Sequence, residues 1–287
     1  GWRDKEWSLK KPQNTYRIAV LGDSMVASWD VESDRTFLTI TENQLNATSQ
    51  SKIFELMNFG FSNISQAEEL LILKNDVVQF SPDMVLLFFF PGNDINDVAR
   101  ETASTLKRPF YDISESGNLI LDTSFSNTSD YKLKSFCNVF KQHSALITLV
   151  GERYYGYKEQ RRIKAQDIVN AQSKKSMPKF LTLCTSNQDA RYVKNYQLNK
   201  RLIKAMAEYC NKNKIRFMLV TVDVKNTYTP DDEKIYKDMD PTFNTDYFED
   251  DLGEFARSLN IDHLGLQRIF RENYEKNGVS LHWGHWN

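Results

Sequence analysis

The stretch from Met84 to Phe90, MVLLFFF, is apolar at every position. A strand with one wet face alternates apolar and polar residues, whereas a strand covered on both faces does not. This run therefore belongs in a parallel sheet with helices on both sides. Its neighbours follow the same grammar. RIAVLG (17–22), IFELMNFG (53–60) and IRFMLVTVD (215–223) read as further strands, and a weaker fifth is expected near 261–264. Between them lie helical stretches: 36–45, then 65–80 with Ser65 as its N-cap, and a long helix over about 192–213. Strand and helix in repetition imply an α/β, doubly wound sheet with its ligand site at the carboxyl ends of the strands.

Residues 101–190 break that rhythm. FYDISESGNLILD (110–122) reads as a hairpin around Glu115-Ser116-Gly117, and the charged, aromatic stretch 135–162 is expected to be helical. So long an excursion between sheet strands is expected to be an inserted cap over the site. Residues 1–15 read as an N-terminal extension and 16–287 as the domain that carries the insertion. A chain of 287 residues, 40% hydrophobic and 13% aromatic, is long enough to bury a substantial core for such a domain.

Charge and cysteine usage narrow the partners. Thirty-seven basic and 38 acidic residues leave a formal charge of -1, which provides no basic field for nucleic acid or anionic lipid. Cys137, Cys184 and Cys210 are odd in number and widely spaced, against a zinc ribbon or a disulfide scaffold. The longest apolar run is too short to span a bilayer, and GWRDKEWSLKKP is not a signal-peptide pattern. Gly1 reads as an expression scar, compatible with removal of an upstream signal or anchor, so localisation is not legible.

Three turns at strand ends could carry chemistry. VLGDSM places Ser24 between the first strand and the first helix, where a hydroxyl is exposed and the N–H groups of a helix start face outward. Asp23 and Ser24 are equally good helix N-caps. NFGFSN places Gly60 directly after the second strand, where a glycine either ends the strand or lets a backbone N–H approach a ligand. FFFPGNDIND places Gly92, Asn93 and Asp94 after the third strand, and Pro-Gly-Asn is also an ordinary turn. Each has a bland reading alone; the ordered set is the specific signal.

That set, closed by GHWN at the carboxyl end, resembles the SGNH/GDSL hydrolase superfamily, in which a Ser, a Gly, an Asn and a His stand in four separated blocks. The blocks here are Ser24 in GDS, Gly60 in NFG, Asn93 in GND and His285 in GHWN. The resemblance covers about 16–287 apart from the insertion. It implies a flavodoxin-like three-layer α/β/α sandwich and ester hydrolysis or acyl transfer through an acyl-serine, with no cofactor. It also implies roles: Ser24 as nucleophile, the Ser24 and Gly60 N–H groups with the Asn93 side chain as oxyanion hole, and His285 as base. A serine hydroxyl needs such a base, and a tetrahedral intermediate needs such donors.

The pattern departs from the family just before the histidine. An Asp usually stands two or three residues earlier, where this chain has Trp283 and His282. Either a dyad operates, or a carboxylate arrives from elsewhere with Asp262 a candidate, or activity is reduced. Asp23 and His282 are further accessory candidates. His282 and His285 could share a helix face, but without an acidic or thiolate partner close in sequence they do not read as a metal site. The substrate class that the resemblance favours is an O-acyl, especially acetyl, group on carbohydrate. The alternatives are a lipase-like or thioester hydrolase, and a non-catalytic carbohydrate-binding relative.

Overall fold

The computed structural model describes residues 2–129, 131, 132, 153, 176–224 and 227–281. In chain order the elements are β1 (Thr15–Gly22), α1 (Ser24–Ala27), α2 (Phe37–Thr48), β2 (Ile53–Gly60), α3 (Gln66–Asn75), β3 (Met84–Phe89), α4 (Pro91–Asp97), β4 (Phe110–Ile113), β5 (Leu119–Asp122), α5 (Ala190–Lys212), β6 (Arg216–Thr221), α6 (Pro230–Met239), α7 (Tyr247–Ser258), β7 (Asp262–Gly265) and α8 (Gln267–Asn277).

Five strands form one sheet in the order β2-β1-β3-β6-β7, every pair parallel. This is the flavodoxin-like order, with β3 central and the chain winding from β1 first to one side, to β2, and then to the other. The apolar strands behave as their composition requires. One set of side chains, Ile18, Val20, Leu56, Met84, Phe88 and Val220, packs with Leu38 of α2 and Met25 and Val26 of α1. The alternate set, Ala19, Leu21, Val85, Leu87 and Leu219, is equally buried and lies on the side packed by α3, α5 and α7. Helices on both faces make the three-layer sandwich that the sequence implies.

Local signals set the helix starts. Ser65 and Glu68 form a reciprocal capping box, and the expected helix from 65 runs to Asn75 before a 3-10 turn over Val77–Phe80. Asp189 caps α5 through Arg191 N–H, and Thr229 with Pro230 opens α6. At the amino edge of the sheet, charges are paired. Arg17, fully buried, donates to Glu55 Oε2 at 2.6 Å and to Phe80 O at 2.8 Å. Arg216 meets Asp262 at 2.8 Å.

Contacts divide the chain into two units, Gly1–Ser104 with Lys179–Asn287, which holds the sheet, and Thr105–Pro178. Within the second, β4 and β5 pair antiparallel around the expected turn, where Gly117 takes a φ of 83° and its N–H donates to Ser114 O at 2.8 Å. Cys137 and most of the expected helix 135–162 lie outside the described residues. Cys184 and Cys210 are buried free thiols, and no helix among the described residues is long and apolar enough to cross a membrane.

Candidate active site

Ser24 is the first residue of α1, a single helical turn at the carboxyl end of β1. Asp23 caps it, accepting from Met25 N–H at 2.9 Å. Within the turn only Ser24 is partly exposed; Asp23, Met25, Val26 and Ala27 are buried. The turn therefore presents one hydroxyl and hides the rest. Gly22 makes the sharp exit possible, since a Cβ there would stand 2.4 Å from Val26 Cγ2.

Gly60 ends β2 level with Gly22, and Leu21 is level with Leu87 of β3. Ser24, Gly60 and Asn93 thus lie just beyond, or at, the carboxyl ends of three adjacent parallel strands. Gly60 has a packing reason of its own. A Cβ would fall 2.5 Å from Ala27 N and 2.7 Å from Val26 C, both backbone atoms. Its N–H donates to Asn58 Oδ1 at 2.8 Å, and Asn58 Nδ2 donates to Val26 O at 3.0 Å. Asn58 therefore clamps the end of β2 to the turn bearing Ser24 and occupies the amide that the resemblance assigns to an oxyanion. The left-handed residue in this turn is instead Asn63, at φ 62°.

Asn93 lies in the first turn of α4, and Pro91 fits the helix start. It is partly exposed, while its Oδ1 is buried without a partner among the described residues. The next residue, Asp94, is fully buried and accepts from Phe90 N–H and from Gln66 Nε2, both at 2.7 Å. Burial, then the charge of Asp23, pushes the Asp94 carboxyl well above the ordinary carboxylate range, against those two donors and with a further push from Asp97. Glu69 of α3 is fully buried as well. Burial and the charges of Asp94, Asp23 and Glu68 raise it in the same direction, against a smaller lowering by the Gln66 amide.

Asp262 is the accessory candidate that the fold moves away. It opens β7 and pairs with Arg216, the first residue of β6, so it stands at the amino edge of the sheet, opposite Ser24. Asp23 is engaged as the α1 cap. His282 and His285 lie outside the described residues, with Trp283 and Trp286. The sequence reading passed over Glu69 and Asp223. Asp223 is fully buried two residues beyond β6. It follows the same rule that singled out Ser24 and Asn93, a polar residue directly after a buried strand, and could have been found by it.

A cleft of about 720 Å³ lies between the N-terminal segment, residues 29–42 and β2, lined among others by Trp2, Trp29, Glu32, Asp34, Thr39 and Asn58; Ser24, Gly60 and Asn93 are not among its walls. Trp29 is 58% exposed and carries the Arg3 guanidinium 5.5 Å from its ring centroid. Among the described residues no group of three or more His, Cys, Asp or Glu is placed to hold a metal ion.

No family model and no curated protein matches this sequence. Among solved structures it is similar to a catalytic mutant of Axe2, an acetylxylan esterase from Geobacillus stearothermophilus, at 12% identity and a TM-score of 0.46, covering 95% of this chain and 87% of that one. It is similar to TesA at 11% identity and a TM-score of 0.42, over 94% and 89% of the two chains. AlinE4, an SGNH-hydrolase family esterase, matches at 10% identity and a TM-score of 0.41, over 96% and 88%.

Proposed function

We propose that this protein is a serine-dependent ester hydrolase or acyl transferase of the SGNH type, acting on O-acyl groups of carbohydrate. One observation carries the reading: Ser24, Gly60 and Asn93 stand at the carboxyl ends of three adjacent strands, with Ser24 the exposed residue of an otherwise buried helix-start turn. In this proposal Ser24 Oγ attacks the acyl carbon and His285 takes its proton. The Ser24 N–H and the Asn93 side-chain amide stabilise the oxyanion. Water or a sugar hydroxyl then accepts the acyl group. Gly60 N–H becomes a third donor once it leaves Asn58 Oδ1.

The carbohydrate preference rests on the sequence resemblance, because the cleft lined by Trp29 does not include Ser24, Gly60 or Asn93 and the Trp29 ring carries Arg3. We assign residues 101–190 the role of a cap that sets acyl or sugar specificity. A non-catalytic carbohydrate-binding relative is the second reading. It is favoured by the engagement of Gly60 N–H with Asn58 and by the absence of Asp at 282 and 283.

A fluorophosphonate probe read by intact mass separates the two. Wild type should gain one adduct and Ser24→Ala none, with folding intact. No adduct on wild type, or an adduct that persists in Ser24→Ala or maps to Ser28 or Ser62, overturns the assignment. A series of acetylated sugars and longer-chain esters then tests the substrate class against a lipase-like or thioester hydrolase.

A further inference from the structure

Around Glu69 and Asp94 acceptors outnumber donors. Glu69 Oε1 and Oε2, Asp94 Oδ1, Gln66 Oε1 and Asn199 Oδ1 are all buried and have no hydrogen-bond partner among the described residues. Two donors are present at the carboxyls, Gln66 Nε2 and Phe90 N–H; both bond Asp94 Oδ2 at 2.7 Å, and the Gln66 amide acts on Glu69 only from outside hydrogen-bond geometry. An ionised carboxylate only accepts, so two ionised acids here would leave three buried carboxylate oxygens without a donor. Burying two like charges together without a cation is also far costlier than keeping a proton. The charges that act most on the pair come from three elements and are all acidic: Asp23 at the β1–α1 turn, Glu68 on α3 and Asp97 on α4. From α5 the facing groups are the neutral amides of Asn195 and Asn199, bonded to Ile95 O and Asp94 O.

We propose that Glu69 and Asp94 are neutral carboxylic acids in the folded protein and act as positioning residues, their hydroxyls supplying the donors that tie α3 and α4 to the turn bearing Ser24. The two acids lie on the helices that follow β2 and β3, and the charge of Asp23, which caps α1, acts on both. A proton held here fixes the relative placement of all three turns without using a cation. Its loss at higher pH places a second negative charge against Asp23 and loosens the nucleophile turn.

The sign is definite. Both carboxyls rise on folding, so the folded chain holds protons that the unfolded chain has released. The resulting stability is complete below the ordinary carboxyl range and declines as pH climbs from that range toward the folded values. Glu69→Gln keeps the shape and removes the titration. The ratio of the wild-type unfolding constant to that of the variant should grow with pH across this interval, by up to tenfold per pH unit for one proton. A ratio that is flat or falls with pH overturns the proposal. Should Glu69→Gln not fold, Asp94→Asn gives the same comparison, since its amide oxygen can still accept from Phe90 and Gln66. Infrared spectra of the wild type at pH 7 provide a check free of mutation: a protonated-carboxyl carbonyl band should be present when folded and vanish on denaturation. Absence of the band from the folded protein also overturns it.

The positioning role, which rests on the proposed nucleophile, has its own readout. The rate of fluorophosphonate labelling at Ser24 should fall in wild type at alkaline pH and persist in Glu69→Gln at the same pH. Equal loss in both proteins removes the positioning role. If neither is labelled at any pH, the esterase reading fails, while the unfolding and infrared comparisons still decide the protonation state.

Discussion

Asn58 holds Gly60: the glycine N–H donates to Asn58 Oδ1 at 2.8 Å while the same side chain donates to Val26 O at 3.0 Å. One amide thereby links β2 to the turn that presents Ser24. Asn58→Ala leaves the buried Gly60 N–H without its partner, while Val26 O keeps Ser28 Oγ at 3.2 Å, and should lower stability by about 1–3 kcal/mol, measured by urea unfolding. Gly60→Ala should do more damage, because the backbone of Val26 and Ala27 cannot make room for the new methyl. It should abolish labelling of Ser24 even if the chain still folds. A Gly60→Ala protein with wild-type labelling would show that α1 is freer than its packing says.

Asn93 should matter in the transition state and hardly at all before it. Removing a donor from an oxyanion site costs roughly 3 to 4 kcal/mol, so Asn93→Ala should lower kcat by roughly 100- to 1000-fold with little change in KM. Steady-state kinetics on an acetyl ester decides this. A change confined to KM would make Asn93 a substrate-binding residue.

His285→Ala should abolish turnover, whereas His282→Ala should keep most of it, because an imidazole cannot supply the negative charge of the acid that usually stands at that point in the SGNH hydrolases the sequence resembles. Rates of ester hydrolysis by the two variants are the measure. Loss in His282→Ala with activity retained in His285→Ala would exchange the two roles.

Two aspartates give a further contrast. Asp223 is buried just beyond β6, and its charge acts on Tyr228, whose hydroxyl lies 2.5 Å from Ser280 Oγ. From Leu281 four more residues reach His285, a span of at most about 14 Å. Asp223→Asn should lower kcat/KM by roughly 100-fold or more if it orients the base, while Asp262→Asn, at the far edge of the sheet, should leave catalysis unchanged. Equal rates for Asp223→Asn and wild type would leave a dyad.

The strands were legible because a strand covered on both faces is apolar along most of its length, its few polar residues standing near the ends. IFELMNFG coincides with β2 from Ile53 to Gly60, and MVLLFF with β3. The start of α3 was legible for a different reason, since Ser65 and Glu68 cap each other within a single turn. What lay beyond local reading depends on neighbours distant in the chain. Gly60 is a glycine because of Val26 and Ala27, more than thirty residues earlier in the chain. Glu69, within QAEELL, has the look of a solvated helix charge, and only the packing of α3 and α5 puts it inside. Asp262 failed in the opposite way: its strand is four residues long, too short to show which end of the sheet it occupies.

The backbone carbonyls of the turn bearing Ser24 are all taken. Asp23 O accepts from Ala27 N–H, Ser24 O from Ser28 N–H, Met25 O from Ser28 Oγ and Val26 O from Asn58 Nδ2. Every carbonyl from 23 to 26 is already engaged, so the turn has little to offer a ligand that brings hydrogens to donate. An arriving alcohol or water must find its acceptors on other elements. If Ser24 carries an acyl group as proposed, the groups that receive the incoming hydroxyl lie on other elements, and exchanging them should redirect the acyl product without slowing its formation.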